Sequence, residues 1–278
     1  MKVLILGGNR YVGKRVARLF LKDGHEVTLL NRGNLDDGLG PNVERIHGDK
    51  SRLSTLLGRR QFDVVIDQIC MDAYDATNAI NALASHTLHY ILTSTMAVYQ
   101  QQFDLKETDF DPAGYIPQEA NTLLGKYSEA KRSAEQTLFN LAPFSWSVAR
   151  FPIILSEDDP TRRLYEEIQN IKHNQGVFYE NTEALFSLIH ADDAAQALYR
   201  LALHQHSGAY NFASEAPIKV SDFLNTIAIT LGKKVKLDPL KAPSPFSIKG
   251  TWSMNVEKSI SMGYRYQKIS DWLPKLIS

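Results

Sequence analysis

Tyr127 and Lys131 stand four residues apart in Tyr127-Ser128-Glu129-Ala130-Lys131, and Thr95 follows the apolar run His89 to Thr93. On a helix, residues at i and i+4 share a face, so the phenol and the ammonium point the same way. An unperturbed tyrosine titrates near 10 and needs a nearby cation to move a proton at neutral pH. Lys131 supplies that charge, Tyr127 gives or takes the proton, and Thr95 hydrogen-bonds the reacting oxygen. This is acid–base chemistry on a hydroxyl or a carbonyl. Tyr-x-x-x-Lys also arises by chance in many helices, so its meaning depends on the elements around it.

The strongest of these lies at the start of the chain. Val3-Leu4-Ile5-Leu6 reads as a buried strand, Gly7-Gly8-Asn9-Arg10-Tyr11-Val12-Gly13 as a glycine-rich turn, and Tyr11 to Lys22 as a helix with Val12, Val16, Leu19 and Phe20 at helical spacing. His25 to Leu30 is a second strand. Strand, glycine turn, helix and strand make a βαβ unit that brings backbone N–H groups and a positive helix end to a pyrophosphate. The seven residues Gly7 to Gly13 are therefore the expected dinucleotide loop.

The end of the second strand normally meets the adenosine ribose, where a carboxylate bonds the 2′-hydroxyl and a basic side chain accepts a 2′-phosphate. Here Asn31-Arg32-Gly33 occupies that place, with no carboxylate until Asp36, and Arg10 can converge on it. The expected cofactor is NAD(P), with NADP favoured over NAD; the alternative for Arg32 is a solvated loop residue.

Further strands are expected at Val43 to Ile46, Phe62 to Asp67, His89 to Thr93 and Ser145 to Phe151. Helices are expected at Leu53 to Leu57, at Ala73 to Ala84, and from Tyr127 to a stop at Pro143, the last with a buried stripe of Ala130, Ala134, Leu138 and Leu141. The near-continuous apolar strands suit a parallel sheet covered on both faces. The alternation predicts an α/β, doubly wound parallel-sheet Rossmann fold with ligands at the carboxyl ends of the strands and a small C-terminal substrate lobe. Beyond Pro152 the expected elements are helices at Leu164 to Ile171 and Ser221 to Leu231, a strand Phe186 to Ile189 entering a helix through Leu203, a strand Ala209 to Phe212, and a final helix ending at Ile277. The expected division is a nucleotide-binding domain over 1–152, with 186–203 returning to it, and a smaller substrate lobe over 153–278.

Lys plus Arg and Asp plus Glu balance at 31 each, so no bulk field favours nucleic acid or an acidic membrane surface. No apolar run approaches the length needed to span a bilayer, and the apolar start is cut after a few residues by glycines and Asn9-Arg10. One cysteine, Cys70, leaves no internal disulfide and no thiolate zinc cluster, and the eight histidines show no metal spacing. A cytoplasmic protein without a metal site is expected. Arg162 and Arg163 follow a proline turn and offer bidentate forks for a substrate phosphate or carboxylate, or else begin a solvated helix.

Taken together, the Gly7–Gly13 turn, Thr93 to Tyr99 and Tyr127-x-x-x-Lys131 resemble the extended and atypical short-chain dehydrogenase/reductase superfamily, the NAD-dependent epimerase/dehydratases. The similarity covers nearly the whole chain: Phe186 to Asp193 resembles that family's strand–helix return to the sheet, and Gly208 to Phe212 its substrate-lobe strand. The resemblance implies Tyr127 as catalytic acid/base, Lys131 as the cation that also holds the nicotinamide ribose, Thr95 as the polarising hydroxyl, and Asp49 as an adenine contact. From the residues alone, the alternative for Asp49 is a turn residue and no more.

Three departures stand out. Arg10 replaces the middle glycine, Asp67-Gln68-Ile69-Cys70 replaces a small apolar turn, and Arg150-Phe151-Pro152-Ile153 stands where Arg-x-Phe-Asn is frequent. The Arg10 variant resembles an atypical subgroup that includes chloroplast RNA-associated proteins as well as sugar-nucleotide enzymes. The resemblance implies an epimerase, dehydratase or reductase acting on a sugar nucleotide or related polyol, in a homodimer paired through helices flanking the sheet. The other class is a non-catalytic NAD(P)-binding module for RNA or a protein partner, against which the complete Thr95, Tyr127, Lys131 set and the balanced charge speak.

Overall fold

The computed structural model describes residues 1–33 and 35–278. In chain order the elements are β1 (Lys2–Leu6), α1 (Tyr11–Lys22), β2 (Glu26–Asn31), β3 (Val43–His47), α2 (Leu53–Leu57), β4 (Phe62–Asp67), α3 (Ala73–Leu83), β5 (Thr87–Thr95), α4 (Leu123–Leu141) and β6 (Ser145–Phe151). There follow β7 (Ile153–Leu155), α5 (Arg163–Lys172), β8 (Leu185–Phe186), β9 (Leu188–His190), α6 (Ala191–His204), β10 (Gly208–Asn211), β11 (Ile218–Lys219), α7 (Val220–Leu231), α8 (Glu257–Ser261) and α9 (Ile269–Ile277). Two compact units share the chain: one comprises 1–99, 107–151 and 194–211, the other 100–106, 152–193 and 212–278.

The first unit is a seven-stranded sheet in the order β10-β6-β5-β4-β1-β2-β3, every neighbouring pair parallel. The alternation of strand side chains sends Leu4, Leu6, Val65, Tyr90, Leu92 and Val148 to one face, where they pack with Leu57 of α2, Ala79 and Leu83 of α3, and Ala134 and Leu138 of α4. On α1, Phe20 stacks edge-on against Tyr199 of α6 at 4.8 Å, and the Tyr199 hydroxyl donates to Asp23. The backbone ladder runs past the strand ends: Gly7 N donates to Leu30 O at 3.0 Å, Gln68 N to Leu6 O at 3.1 Å, and Gly48 N to Asn31 O at 2.9 Å. The loops that follow β1, β3 and β4 are thereby tied to neighbouring strands before they diverge.

In the second unit β7 and β9 form a parallel pair and β8 and β11 an antiparallel one. Its core includes Phe186, Phe223 and Phe246, with ring centroids 4.9–6.4 Å apart. Glu167, buried in α5, accepts from the Tyr179 hydroxyl at 2.7 Å and from Ser244 Oγ at 3.0 Å.

Several expectations need correction. Helix α4 begins at Leu123, one turn ahead of Tyr127, because Thr122 caps it by accepting from Gly125 N at 3.0 Å. Its buried face carries Lys131, Ala134, Glu135 and Leu138, while Leu141 is exposed. The expected strand Phe186 to Ile189 is broken at Ser187, where the chain changes partners: Ser187 N donates to Trp252 O and Ser187 Oγ accepts from Met254 N. Of the segment 186–203, the strand part pairs with β7 and β11 in the second unit, and only the helix from Ala194 belongs to the first. The strand that returns to the large sheet is β10, which the resemblance assigned to the substrate lobe; it aligns beside β6 with Ala209 opposite Val148. Pro152, lacking an N–H, ends the β6 ladder, and the next three residues pair with β9 instead.

Candidate active site

The glycine turn is fixed by close approach. Gly7 has φ +85°, and a Cβ there would lie 2.5 Å from Ile69 Cγ2; at Gly13 a Cβ would come within 2.9 Å of Gly7 O and Gly8 Cα, so α1 sits flush on the turn. Arg10 is the N-cap of α1 with extended backbone (φ −154°, ψ 167°), a conformation open to any side chain. The left-handed step falls on Tyr11 instead, at φ +53°. No carboxylate stands in the first turn of α1, which leaves its positive end uncompensated. Val12 is core, so it offers the site only its backbone.

Gly7, Asn9, Arg10, Asn31, Arg32 and Asp49 line one cleft of about 330 Å³, together with Leu35, Lys50 and Ile69. Seven-residue loop and strand ends thus converge. Neither the Arg10 nor the Arg32 guanidinium has a hydrogen-bond or ion-pair partner among the described residues. Asn31 Oδ1 accepts from Gly33 N at 2.8 Å and turns the chain away from the strand. The first carboxylates beyond it are engaged locally. Asp36 accepts from Gly38 N at 2.9 Å; Asp37 accepts from Arg45 Nη2 at 2.7 Å, and that guanidinium holds its carboxyl below the usual range. Asp49 is exposed and accepts from Ser51 N at 3.0 Å, the bond that chiefly lowers its pKa. Its side chain is a turn cap that also lies on the cleft wall.

Behind the cleft, the loop after β4 is clamped from three sides. Asp67, buried, accepts from Ile69 N and Cys70 N through Oδ1 and from the Tyr90 hydroxyl through Oδ2, each at 2.8 Å. Lys50 Nζ donates to Ile69 O at 2.5 Å and pairs with Asp75. Lys131 Nζ donates to Cys70 O at 2.6 Å and to Thr93 O at 3.0 Å. Lys131 is 5% exposed and uses two of the three donors of an ammonium. Lys50 and Asp67 were not among the expected site residues; the one signal for Asp67 was a carboxylate ending a continuous apolar strand.

Burial pushes the Asp67 carboxyl up, against the three hydrogen bonds it accepts. A carboxyl raised in the fold contributes stability that is present below its unfolded pKa of about 4 and lost as pH rises through the folded value. Asp67→Asn abolishes that titration. Urea midpoints of the two proteins at pH 4 and pH 7 should therefore shift in the variant's favour on going to pH 7; an equal gap at both pH values would refute the linkage.

Thr95 ends β5, half-buried, and its Oγ1 accepts from Ala97 N at 3.2 Å, which leaves the hydroxyl proton to donate. Tyr127 is half-buried in the second turn of α4, and its hydroxyl has no partner among the described residues. Lys131 follows one turn later and is bonded to the strand that carries Thr95. Thr93 Oγ1 and Gln68 Nε2 are buried with no hydrogen-bond partner among the described residues. A glycine cradle that a Cβ would fill, an open pair of guanidiniums and orphaned polar atoms at the strand ends fit a bound dinucleotide.

Arg150 is not a ligand residue. It is fully buried, its Nε and Nη2 bond the Glu135 carboxylate, Nη1 donates to the Tyr99 hydroxyl at 2.8 Å and Glu107 O at 2.9 Å, and Nη2 also reaches Phe110 O at 3.3 Å. Every N–H of the guanidinium is used. In the second unit Arg162 is the left-handed N-cap of α5 and lies 4.2 Å over the Tyr165 ring, and Arg163 Nε donates to Thr161 Oγ1 at 2.9 Å. Among the described residues no cluster of His, Cys, Asp and Glu could hold a metal ion, and no helix is long and apolar enough to cross a membrane.

The sequence profile of the NAD dependent epimerase/dehydratase family matches residues 3–213. The chain is 22% identical over 267 residues to 2'-dehydrokanamycin reductase of Streptomyces kanamyceticus, spanning 89% of this chain and 71% of that protein. It is 29% identical over 100 residues to the chloroplast stem-loop binding protein of 41 kDa b of Arabidopsis thaliana, a match spanning 33% of this chain and 25% of that protein. Among solved structures, UDP-glucuronic acid 4-epimerase from Bacillus cereus in complex with UDP-glucuronic acid and NAD aligns with a TM-score of 0.78 at 17% identity, covering 100% of this chain and 99% of that one.

Proposed function

The chain belongs to the NAD dependent epimerase/dehydratase family, and from that premise we propose that it is a nicotinamide-dependent epimerase, dehydratase or reductase acting on a sugar nucleotide or related polyol. The observation that carries this reading is the uncommitted Tyr127 hydroxyl, one helical turn from a lysine anchored to the strand that ends in Thr95. When bound, the nicotinamide supplies a hydride donor or acceptor for carbon. Tyr127 Oη moves the proton of the reacting hydroxyl, Lys131 is the neighbouring cation one turn on, and the Thr95 hydroxyl donates to the substrate oxygen.

Gly7 to Gly13 hold the pyrophosphate, with Leu35 and Ile69 offering apolar surface and Asp49 a polar rim for adenine. The reductase relative and the epimerase neighbour crystallised with UDP-glucuronic acid support the substrate class. Arg162 and Arg163 serve as the clamp for a substrate phosphate or carboxylate: the Arg163 Nη groups make no bond among the described residues.

Arg10 and Arg32, with no uncommitted carboxylate at the end of β2, support NADP over NAD. Titrating the protein with NADPH and NADH, followed by nicotinamide fluorescence, tests both levels. Binding of neither would defeat the proposal. A charge-assisted hydrogen bond contributes about 1.5–3 kcal/mol, so Arg32→Ala should lower the NADP-to-NAD affinity ratio roughly 10- to 100-fold; an unchanged ratio removes the 2′-phosphate role. The match to a stem-loop binding protein favours a second reading, a module without turnover. Salt-dependent binding of an RNA stem-loop, together with absence of any reductase or epimerase activity, would put that reading first.

A further inference from the structure

We propose that Glu135, with Ser94 and Arg150, is the positioning centre that fixes the distance between Tyr127 and Thr95. The inference rests on the acid–base reading of those two residues. Ser94 Oγ donates to Glu135 Oε1 at 2.5 Å, and Ser94 immediately precedes Thr95. Arg150 stands opposite Ser94 in the β5–β6 register and places its Nη2 2.6 Å from Glu135 Oε2. One carboxylate on α4 therefore binds both strands at the level of the site. One turn earlier on the same helix, Lys131 holds Thr93 O. Helix α4 is thus fastened at two successive strand residues just before Thr95, through side chains four apart that share the face turned to the sheet.

Apolar packing alone would bury this interface without fixing its register, because hydrophobic attraction is non-directional. A buried ion pair is seldom retained for stability, since well-packed apolar residues often do as well or better. Glu135 and Arg150 are each 1% exposed, Arg150 has no donor left for a ligand, and their bonds lead to the residue beside Thr95. A directional lock on the helix that carries Tyr127 accounts for all three facts.

The test reads Tyr127 without needing a known substrate. In full-length protein labelled with 3-fluorotyrosine and saturated with NADPH, the Tyr127 fluorine line is assigned by its absence in Tyr127→Phe. Ser94→Ala removes one tether and changes no charge; it should shift or broaden that line while the lines of Tyr165 and Tyr179 in the second unit stay in place. Ser94→Thr, which keeps the hydroxyl, should restore it. Arg150→Lys, which keeps the charge and loses the fork, should move it as Ser94→Ala does. A Tyr127 line unmoved in both Ser94→Ala and Arg150→Lys overturns the proposal. Undiminished turnover in Tyr127→Phe would instead defeat the acid–base reading, whatever the fluorine spectra show.

Discussion

Arg150→Met should lower the free energy of unfolding by about 3–5 kcal/mol, read as a fall in the urea midpoint at unchanged slope. The guanidinium is enclosed in the first unit, with Tyr99 and Phe110 rings 5.0 and 5.2 Å from its centre. Methionine fills much of the volume but leaves the Glu135 carboxylate buried with Ser94 as its remaining donor. Glu107 O and Phe110 O also lose their donor, and the orphaned buried acceptor at Phe110 O adds to the loss. The paired substitution Glu135→Leu with Arg150→Met should recover most of the stability, because removing both charges removes the desolvation problem. A single-variant loss below about 1 kcal/mol would show that water or a rearranged donor reaches Glu135.

Tyr127→Phe should leave dinucleotide affinity within about twofold and reduce turnover by about 10²- to 10⁴-fold, the range that positioned acid–base groups contribute. The fold gives no reason for stability to change, since the hydroxyl is half-buried and bonds to nothing among the described residues. A surface substitution of that kind stays within about 0.5 kcal/mol. Steady-state rates, set beside NADPH titrations of the same preparations, separate the two effects. Turnover within tenfold of the parent would assign the proton transfer to another group.

What the sequence made readable follows from local physics. β1, β2, β4 and β5 are buried parallel strands, so each is a near-continuous apolar run bounded by polar residues. The glycine turn announced itself because close backbone approach excludes every Cβ. Helix α4 was placed late because Leu123 and Leu124 are exposed and break the helical hydrophobic period; the Thr122 cap was the usable signal. The Glu135–Arg150 pair was not legible for a different reason. A charged residue within an apolar pattern reads as solvent-facing, and only the tertiary pairing of residues 15 positions apart shows otherwise. Lys50 and Asp67 are the same case, since their partners include loop backbone groups that no side-chain pattern encodes. The placement of β10 was a choice of sheet edge, which a four-residue strand carries too little pattern to specify.

That edge has a consequence for biosynthesis. Among the described residues the outer edge of β6 is paired by β10 alone, and Asn211 of β10 also accepts from Tyr99 and donates its backbone N–H to Glu107. Residues 152–207 must be made in between. At about 5–20 residues per second, a nascent chain carries β6 with a bare edge for roughly 3–11 s. An unpaired edge is a template for another chain. Ribosome stalling or truncation before Gly208 would therefore release a sheet in which the β6 edge is bare as well as that of β3, and a chaperone that covers the β6 edge would act in the interval between β6 and β10.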